Sequence, residues 1–346
     1  MKRIVVCCDG TWNREDQRFP TNVAKMYRAV LPVSKGIEQR VIYDRGVGTG
    51  GGLDRFIGLF GGGLSRNVQD AYRFVVENYD AGDELYFFGF SRGAYTVRST
   101  VGLIRKCGVL RRDQIGRVDE AYRLYRSSAI APDAEQARRF RREHSVQREE
   151  APMDVTPVRF MGVWDTVGAL GIPVSRSVEH ACQALAIDEK RVDYSPTLWE
   201  QHPQAQGQVL EQRWFAGSHA DIGGGVEDSS QSDRAFLWLK RRAAACGLGF
   251  DETWIAENVH EVPVGAIQES RTGIFLLRKL FYRPIGRGVA PSDATYLGGI
   301  AREVVDPSVI ARNVADGGYR PRNLVSYFRE HPEALTQRSN EPEEAR

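Results

Sequence analysis

The chain has 346 residues, and its 47 basic and 45 acidic side chains nearly cancel to a formal net charge of +2. This length allows one large α/β domain or two small ones with a substantial buried core. The balanced charge predicts no nucleic-acid partner and restricts charge-based recognition to local patches. The five cysteines include no CxxC pair, which excludes a zinc ribbon, a thioredoxin-like motif and a disulfide framework.

The beginning of the chain does not resemble a targeting segment. Lys2 and Arg3 precede an apolar run, residues 4–8, that is much shorter than a signal-peptide core. No stretch approaches the roughly 20 apolar residues that cross a bilayer. We therefore expect a chain that is cytoplasmic as synthesised, soluble or at most peripheral to a membrane, and exported, if at all, without a cleavable signal.

Short apolar runs alternate with helical patterns along the chain. Runs rich in β-branched and aromatic residues predict strands at 3–8, 40–43, 84–88, 158–164 and 208–215. Apolar spacing and capping residues predict helices at 65–79, 94–106 and 232–245. Strands separated by helices are typical of an α/β fold with a doubly wound, mainly parallel sheet.

This pattern indicates a single domain over residues 1–331. Two regions without a clear strand signal, residues 110–157 and 168–207, are predicted as helical cap insertions. Residues 332–346 are acidic and contain proline, which predicts a disordered tail.

The strongest motif is GFSRG at residues 89–93, a GxSxG placed directly after an apolar run and directly before a helical pattern. In such a strand-to-helix turn the serine takes a strained conformation, and glycines (here Gly89 and Gly93) prevent collisions. The motif therefore predicts Ser91 as a nucleophile. The plainer alternative is a helix-capping serine in a glycine-rich turn.

A serine nucleophile needs a base and an acid. Of the six histidines, His219 follows a late strand and precedes a glycine run, where this kind of site places its base. Asp165 ends a predicted strand and falls between Ser91 and His219, giving the chain order Ser, Asp, His that is typical of α/β-hydrolases. Asp221 is the alternative acid. A metal site formed by His219 and Asp221 lacks further ligands at suitable spacing, so we predict no metal.

Backbone N–H groups are needed to stabilise the oxyanion of the reaction. Arg92 lies at the start of the predicted helix, where backbone N–H groups and the helix dipole favour a developing oxyanion. A second donor usually follows an early strand. The loop CDGTWN at residues 8–13 supplies Gly10 and Thr11 as candidates, with Asp9 and Asn13 expected to hold its shape.

Together these residues resemble one family, the α/β-hydrolase catalytic domain of the first class of type VI secretion lipase effectors, many of whose members have no known function. The motifs that carry the resemblance are CDGTWN (8–13), GVGT (46–49), GFSRGAY (89–95), GVWDTV (162–167), GSHADIGGG (217–225) and YRPRNL (319–324). They cover nearly the whole chain. One departure is Asp306, at a position where we expect histidine in relatives.

The resemblance implies that Ser91, Asp165 and His219 form a triad, in agreement with their context and order. It implies hydrolysis of lipid or phospholipid esters without a metal or organic cofactor. It also implies a secretion or immunity protein as a partner. Two other functions stay open at this point: an esterase or thioesterase for small soluble substrates, and a catalytically silent interaction module.

Two segments bear on the substrate. The glycine-rich residues 46–63 carry apolar side chains, which are either a mobile lid over an acyl chain or ordinary core residues. Residues 271–287 interleave apolar side chains with arginine and lysine. This segment is either a membrane-surface element or, as the plainer interpretation, an amphipathic element that covers the core with its arginines facing water.

Overall fold

The computed structural model describes residues 1–11, 13–46, 62–147, 155–167, 174–202, 204–205, 207–262, 265–286, 302–315 and 318–335. Its strands are β1 (Arg3–Cys8), β2 (Val33–Ser34), β3 (Ile37–Asp44), β4 (Glu84–Phe90), β5 (Val158–Trp164), β6 (Val178–Ala186), β7 (Val209–Phe215) and β8 (Arg302–Val305). Its α-helices are α1 (Asn22–Ala29), α2 (Gly62–Asn78), α3 (Arg92–Cys107), α4 (Val118–Arg126), α5 (Glu135–His144), α6 (His219–Gly223), α7 (Ser230–Ala245), α8 (Glu252–Asn258), α9 (Pro307–Ala315) and α10 (Arg322–Glu330).

The strands form one sheet in the order β2-β3-β1-β4-β5-β6-β7-β8. Every neighbouring pair is parallel except β2 and β3, which form a short antiparallel hairpin at the edge. The predicted α/β architecture with a mainly parallel sheet is confirmed. A parallel sheet needs helices on both faces, which explains why β1 is buried along its whole length and apolar from Ile4 to Cys8.

The helices cover the two faces of the sheet as separate layers. Alternate residues of β1 point to opposite faces: Ile4 and Val6 join a core cluster with α2 and α3, whereas Val5 and Cys7 join a cluster with α1 and α7. A third cluster packs α9 and α10 against the β6–β8 side of the sheet. Among the described residues, no helix is long and apolar enough to span a membrane.

The second cap prediction, residues 168–207, is wrong in its middle, because residues 178–186 form strand β6 within the sheet. The sequence of β6 contains alanines, His180 and Gln183, which weaken its β signal. The buried Nε2 of Gln183 is satisfied there, since it donates to the Thr197 carbonyl at 2.9 Å and to Gln212 Oε1 at 3.2 Å. The short edge strands β2 and β8 were also not predicted.

The first cap candidate, residues 110–157, contains helices in its described part, separated and followed by non-helical residues. It includes α4 and α5, and Arg141 of α5 is buried and donates to the Lys106 carbonyl at 2.9 Å. Lys106 lies at the end of α3 that is remote from Ser91. The α5 helix therefore packs beside α3 at the edge of the sheet opposite to the GFSRG turn.

The predicted tail is ordered at its start. Residues Pro332–Leu335 form a 3-10 turn, and Ala334 is buried in the third core cluster. Residues 336–346 lie outside the described residues, as do residues 47–61 of the predicted lid.

The sheet order explains where the candidate residues meet. From β1 the chain adds β3 on one side and then β4 on the other, so the strand order reverses between β1 and β4. Loops at the carboxyl ends of parallel strands diverge at such a switch point and leave a crevice between them. The loop after β1 and the GFSRG turn after β4 border this crevice.

A buried ion pair connects helices α1 and α7. Lys25 of α1 bonds Asp233 of α7, and both side chains are almost fully buried. Burial lowers the pKa of Lys25, and the carboxylate of Asp233 opposes that shift. The adjacent Asn22 donates to the carbonyls of Ile222 at 2.9 Å and Ser232 at 2.7 Å, so α1 also holds α6 and α7.

We expect Asp233→Asn to lower the free energy of unfolding by about 3 kcal/mol, because it leaves the Lys25 ammonium buried without a counter-charge. Denaturant unfolding measures the change. In the matched control, Glu252→Gln breaks the Lys240–Glu252 pair, whose carboxylate is 67% exposed. This control should lose less than about 1 kcal/mol. Equal losses in the two variants would contradict the prediction.

Candidate active site

Ser91 occupies a strained turn between β4 and α3. Its backbone has φ 55° and ψ −118°, and only Lys35 and Asp165 share a positive φ among the described residues other than glycine. Such strain is typical of functional sites. A Cβ at position 93 would lie 2.0 Å from the Cys8 carbonyl oxygen, and one at Gly89 would lie 2.7 Å from the Ala94 Cα. Both positions of the motif therefore require glycine.

Asp165 is fully buried directly after β5, and its carboxylate is completely surrounded by donors. Oδ2 lies 2.6 Å from Nδ1 of His219, and Oδ1 accepts the backbone N–H of Ala186 at 3.0 Å. The guanidinium of Arg283 binds both oxygens, with Nη1 2.5 Å from Oδ1 and Nη2 2.9 Å from Oδ2. Burial by itself raises the pKa of Asp165, but the charge of Arg283 and then the His219 hydrogen bond outweigh it and hold this pKa well below its usual range.

His219 is the first residue of α6, and its ring lies between two aromatic side chains. The Phe90 ring is tilted against it at a centroid distance of 4.7 Å, and the Tyr194 ring meets it edge-on at 5.0 Å. Gly223 is needed beneath this stack, because a Cβ there would lie 2.0 Å from the Phe90 ring. With Nδ1 bonded to Asp165, the other ring nitrogen, Nε2, is the one available for chemistry.

The three predicted residues lie in one neighbourhood. The Ser91 N–H donates to the carbonyl of Trp164, the residue before Asp165, at 3.1 Å. Phe90, the residue before Ser91, packs on His219. Among the described residues, the Ser91 hydroxyl forms no hydrogen bond with the His219 ring. Such catalytic hydrogen bonds often tighten only when substrate binds.

The loop after β1 approaches the serine. A Cβ at Gly10 would lie 3.4 Å from the Ser91 Cβ, so the absence of a side chain at Gly10 leaves room beside the hydroxyl. The Gly10 N–H already donates to Asp9 Oδ1 at 2.6 Å. The N–H groups of Thr11 and Arg92 are therefore the better placed of the three candidate oxyanion donors.

Asp221 and Asp306 have structural roles. Asp221 Oδ2 accepts the backbone N–H groups of Ser218 at 2.8 Å and Gln268 at 3.0 Å, so it caps α6 and does not face the His219 ring. These contacts weigh against Asp221 both as the acid and as a metal ligand. Asp306 Oδ1 accepts the Ser308 N–H at 2.9 Å at the start of α9.

Arg283 is the residue of this site that the sequence did not reveal. The plainer interpretation of residues 271–287 had the arginines facing water, and this is wrong for Arg283, which is fully buried. Besides Asp165, its guanidinium donates to the carbonyls of Ala186 at 3.0 Å and Tyr194 at 2.6 Å. The one available signal was its place in an apolar stretch without acidic residues.

A family model for the catalytic domain of Tle1-like phospholipase effectors of the type VI secretion system matches residues 2–242. The chain belongs to this family. The matched residues include Ser91, Asp165 and His219, whereas Arg283 lies beyond them. The resemblance inferred from the motifs is thereby confirmed.

Individual relatives of this Tle1-like chain are distant. The uncharacterized protein YEL023C of Saccharomyces cerevisiae is 26% identical over 228 residues, which cover 55% of this chain and 31% of that protein. The structure of the Tle1 effector bound to the VgrG spike from the Type 6 secretion system matches with 18% identity and a TM-score of 0.39, covering 65% of this chain and 51% of that one. An uncharacterized protein from Pseudomonas aeruginosa matches with 15% identity and a TM-score of 0.44, covering 73% and 47%. The chain thus spans about a third of the yeast protein and about half of each solved structure.

We expect Arg283→Gln to lower the free energy of unfolding by about 3–5 kcal/mol, because it removes the buried cation that compensates Asp165. Arg278→Gln in the same segment is the control, since the Arg278 side chain is 61% exposed. It should change stability by less than about 0.5 kcal/mol. Similar denaturation midpoints for the two variants would show that the Asp165–Arg283 pair does not stabilise the fold.

The loop after β1 depends on a second buried carboxylate. Asp9 accepts the hydroxyls of Thr21 and Tyr43 at 2.5 and 2.6 Å, and the Asn13 N–H donates to the Gly10 carbonyl at 3.2 Å. Burial raises the pKa of Asp9 from 3.8 to about 6, although hydrogen bonds from Thr21, Tyr43, Gly10 and Asn13 oppose the shift.

Because the folded chain binds the Asp9 proton more tightly than the unfolded chain, stability should fall as the pH rises from 3.8 to about 6. We expect Asp9→Asn to remove up to about 3 kcal/mol of this fall. Unfolding free energies of wild type and Asp9→Asn across this range measure the difference. Burial also raises the pKa of Asp44, to about 7, but Asp44 is present in both proteins and its contribution cancels in the comparison. Parallel pH curves would contradict the assignment.

Proposed function

We propose that the chain is an α/β-hydrolase that cleaves carboxylic esters of lipids through an acyl-enzyme on Ser91. The observation that carries the proposal is the strained serine at the strand-to-helix turn beside the buried Asp165–His219 pair. Its backbone φ of 55° and the 2.6 Å contact between Asp165 and His219 match what a serine nucleophile and its oriented base need.

The arrangement of the strands supports an α/β-hydrolase fold. Ser91 follows the central strand β4, Asp165 follows the next strand β5, and His219 follows β7, all at the carboxyl edge. This is the chain order Ser, Asp, His of that fold. Because the C-terminal helices α9 and α10 pack on the same sheet, residues 1–331 form a single hydrolase domain in this proposal.

In the proposed mechanism, the Ser91 Oγ attacks the ester carbonyl carbon while His219 Nε2 accepts the hydroxyl proton. Asp165 holds the imidazole by Nδ1 and stabilises the imidazolium that forms. The carbonyl oxygen becomes an oxyanion bound by the N–H groups of Thr11 and Arg92. Collapse of this intermediate expels the alcohol, which takes the proton from His219, and water activated by the same histidine then releases the fatty acid.

The family supports a lipid substrate, since its model describes a phospholipase effector. Export by a type VI secretion system, with a spike or immunity protein as partner, belongs to the same proposal. No metal or organic cofactor takes part in the proposed reaction. The site as described is also compatible with short soluble esters, which the experiment below distinguishes.

Fluorophosphonate labelling tests the nucleophile. Wild type should be labelled, and Ser91→Ala should lose the label while keeping its fold, because the probe reacts only with an activated serine. Ser99→Ala is the matched control, since Ser99 is another buried serine, two turns further along α3. The control should label like wild type.

The same proteins are then assayed on phospholipid vesicles and on short-chain esters. Hydrolysis of vesicles by wild type and by Ser99→Ala, lost in Ser91→Ala, supports the lipid esterase. Turnover of short esters alone would replace the lipid proposal with a soluble esterase. A folded wild type that takes up no label would exclude the Ser91 mechanism and leave an interaction module.

A further inference from the structure

A surface turn rich in leucine lies directly beside the site. We define residues 271–280 as the leucine turn; it contains the 3-10 helix Gly273–Leu277. Leu276, Leu277 and Leu280 are 58%, 89% and 40% exposed. Within the described parts of the chain, Leu335 is the one other leucine with comparable exposure. Apolar side chains clustered in this way mark a contact site more often than single exposed ones do.

The leucine turn is held in shape by the side chain of Arg271, which binds two of its backbone carbonyls. The Arg271 Nη2 donates to the carbonyls of Leu276 at 2.7 Å and Arg278 at 2.6 Å, which fixes the exposed residues between them. Ser270 donates to the buried Glu189 at 3.0 Å, and the Phe281 N–H donates to the Lys190 carbonyl at 3.1 Å. Both ends of the turn are thus fastened to the loop after β6, and the leucines are presented by a fixed element.

The same loop connects the leucine turn to the Asp165–His219 pair. The Phe275 ring meets Tyr194 edge-on at a centroid distance of 6.3 Å, and Tyr194 meets His219 at 5.0 Å. The guanidinium of Arg191 lies 3.6 Å from the Tyr194 ring centroid and 5.2 Å from that of Phe275. Three residues after the turn, Arg283 binds Asp165. The exposed leucines therefore stand at the rim of the proposed active site.

The positive charge of the leucine turn indicates what kind of surface it binds. Residues 271–286 include Arg271, Arg278, Lys279 and the buried Arg283 but no acidic residue. Arg278 and Lys279 are exposed between Leu277 and Leu280, and the Arg278 guanidinium lies 3.5 Å from the Asp193 carboxylate. Apolar side chains flanked by cations fit the interface of a bilayer with anionic headgroups. The aromatic residue of the turn, Phe275, packs inward, whereas protein interfaces rely on exposed aromatic anchors.

We propose that the leucine turn inserts into an anionic phospholipid surface and sets the mouth of the active site on the bilayer. This inference rests on the proposed function for its substrate, but binding can be measured without turnover. Leu276, Leu277 and Leu280 enter the acyl boundary while Arg278 and Lys279 contact phosphate groups. Substrate then reaches Ser91 from the interface without crossing water.

Vesicle binding of the full chain tests the proposal, with Ser91→Ala in every protein so that vesicles stay intact. Vesicles of phosphatidylcholine, with or without phosphatidylglycerol, serve as the lipid surface. We expect Leu276→Ser/Leu277→Ser to weaken binding about tenfold or more. Arg278→Gln/Lys279→Gln should weaken binding to the anionic vesicles about fivefold per charge and reduce its salt dependence.

The matched control is Val314→Ser/Leu335→Ser, which removes exposed apolar side chains of 78% and 45% exposure outside the turn. It should bind as the parent does. Unchanged binding of the leucine variant, or an equal loss in the control, would overturn the proposal. In proteins that keep Ser91, the leucine variant should retain short-ester turnover and fluorophosphonate labelling. A failure of the Ser91 mechanism would abolish both in the parent as well, so it can be distinguished from a failure of membrane binding.

Discussion

The site depends on a carboxylate that is removed completely from water. A buried charge is costly unless it is paired and hydrogen-bonded. Asp165 meets this condition through the Arg283 guanidinium, the His219 ring and the Ala186 N–H. The arginine keeps the acid ionised, and the ionised acid fixes His219 with Nδ1 toward it. Loss of the arginine would therefore change the pKa of Asp165 and the orientation of the His219 ring together.

This pair also explains why the chain beyond β7 matters to the site. Arg283 lies 118 residues after Asp165 and donates to the carbonyls of Ala186 and Tyr194. Asn323 of α10 donates in turn to the carbonyls of Arg283 at 3.1 Å and Ile187 at 2.9 Å. Helix α10 thereby fixes the backbone at Arg283. The part of the chain outside the family match at residues 2–242 thus reaches the centre of the site.

The sequence predicted what local order and spacing determine. The five predicted strands are present, and two of them, β1 and β5, have the predicted bounds, because apolar runs of a buried parallel sheet are distinctive. Ser91, Asp165 and His219 could be chosen as candidates because each follows a strand, and the structure places the three strands' carboxyl ends at the same edge. The sequence did not reveal β6, since its buried Gln183 and alanines weaken the strand signal. Nor did it reveal Arg283, because its partner is distant in sequence and an arginine among apolar residues usually faces solvent.

The position of Arg283 also relates the surface to the acid. The short segment from Arg271 to Arg283 contains three exposed leucines and ends with the fully buried guanidinium of Arg283. An isolated β-bridge between Arg191 and Leu280 joins this segment to the loop after β6. Tyr194 of that loop contacts the His219 ring edge-on. The leucine turn is therefore connected to Arg283 and, through Tyr194, to His219, which are two of the groups that contact Asp165. Lipid bound at the turn would therefore act first on the groups that hold Asp165 and His219, whereas Ser91 lies on the separate turn between β4 and α3.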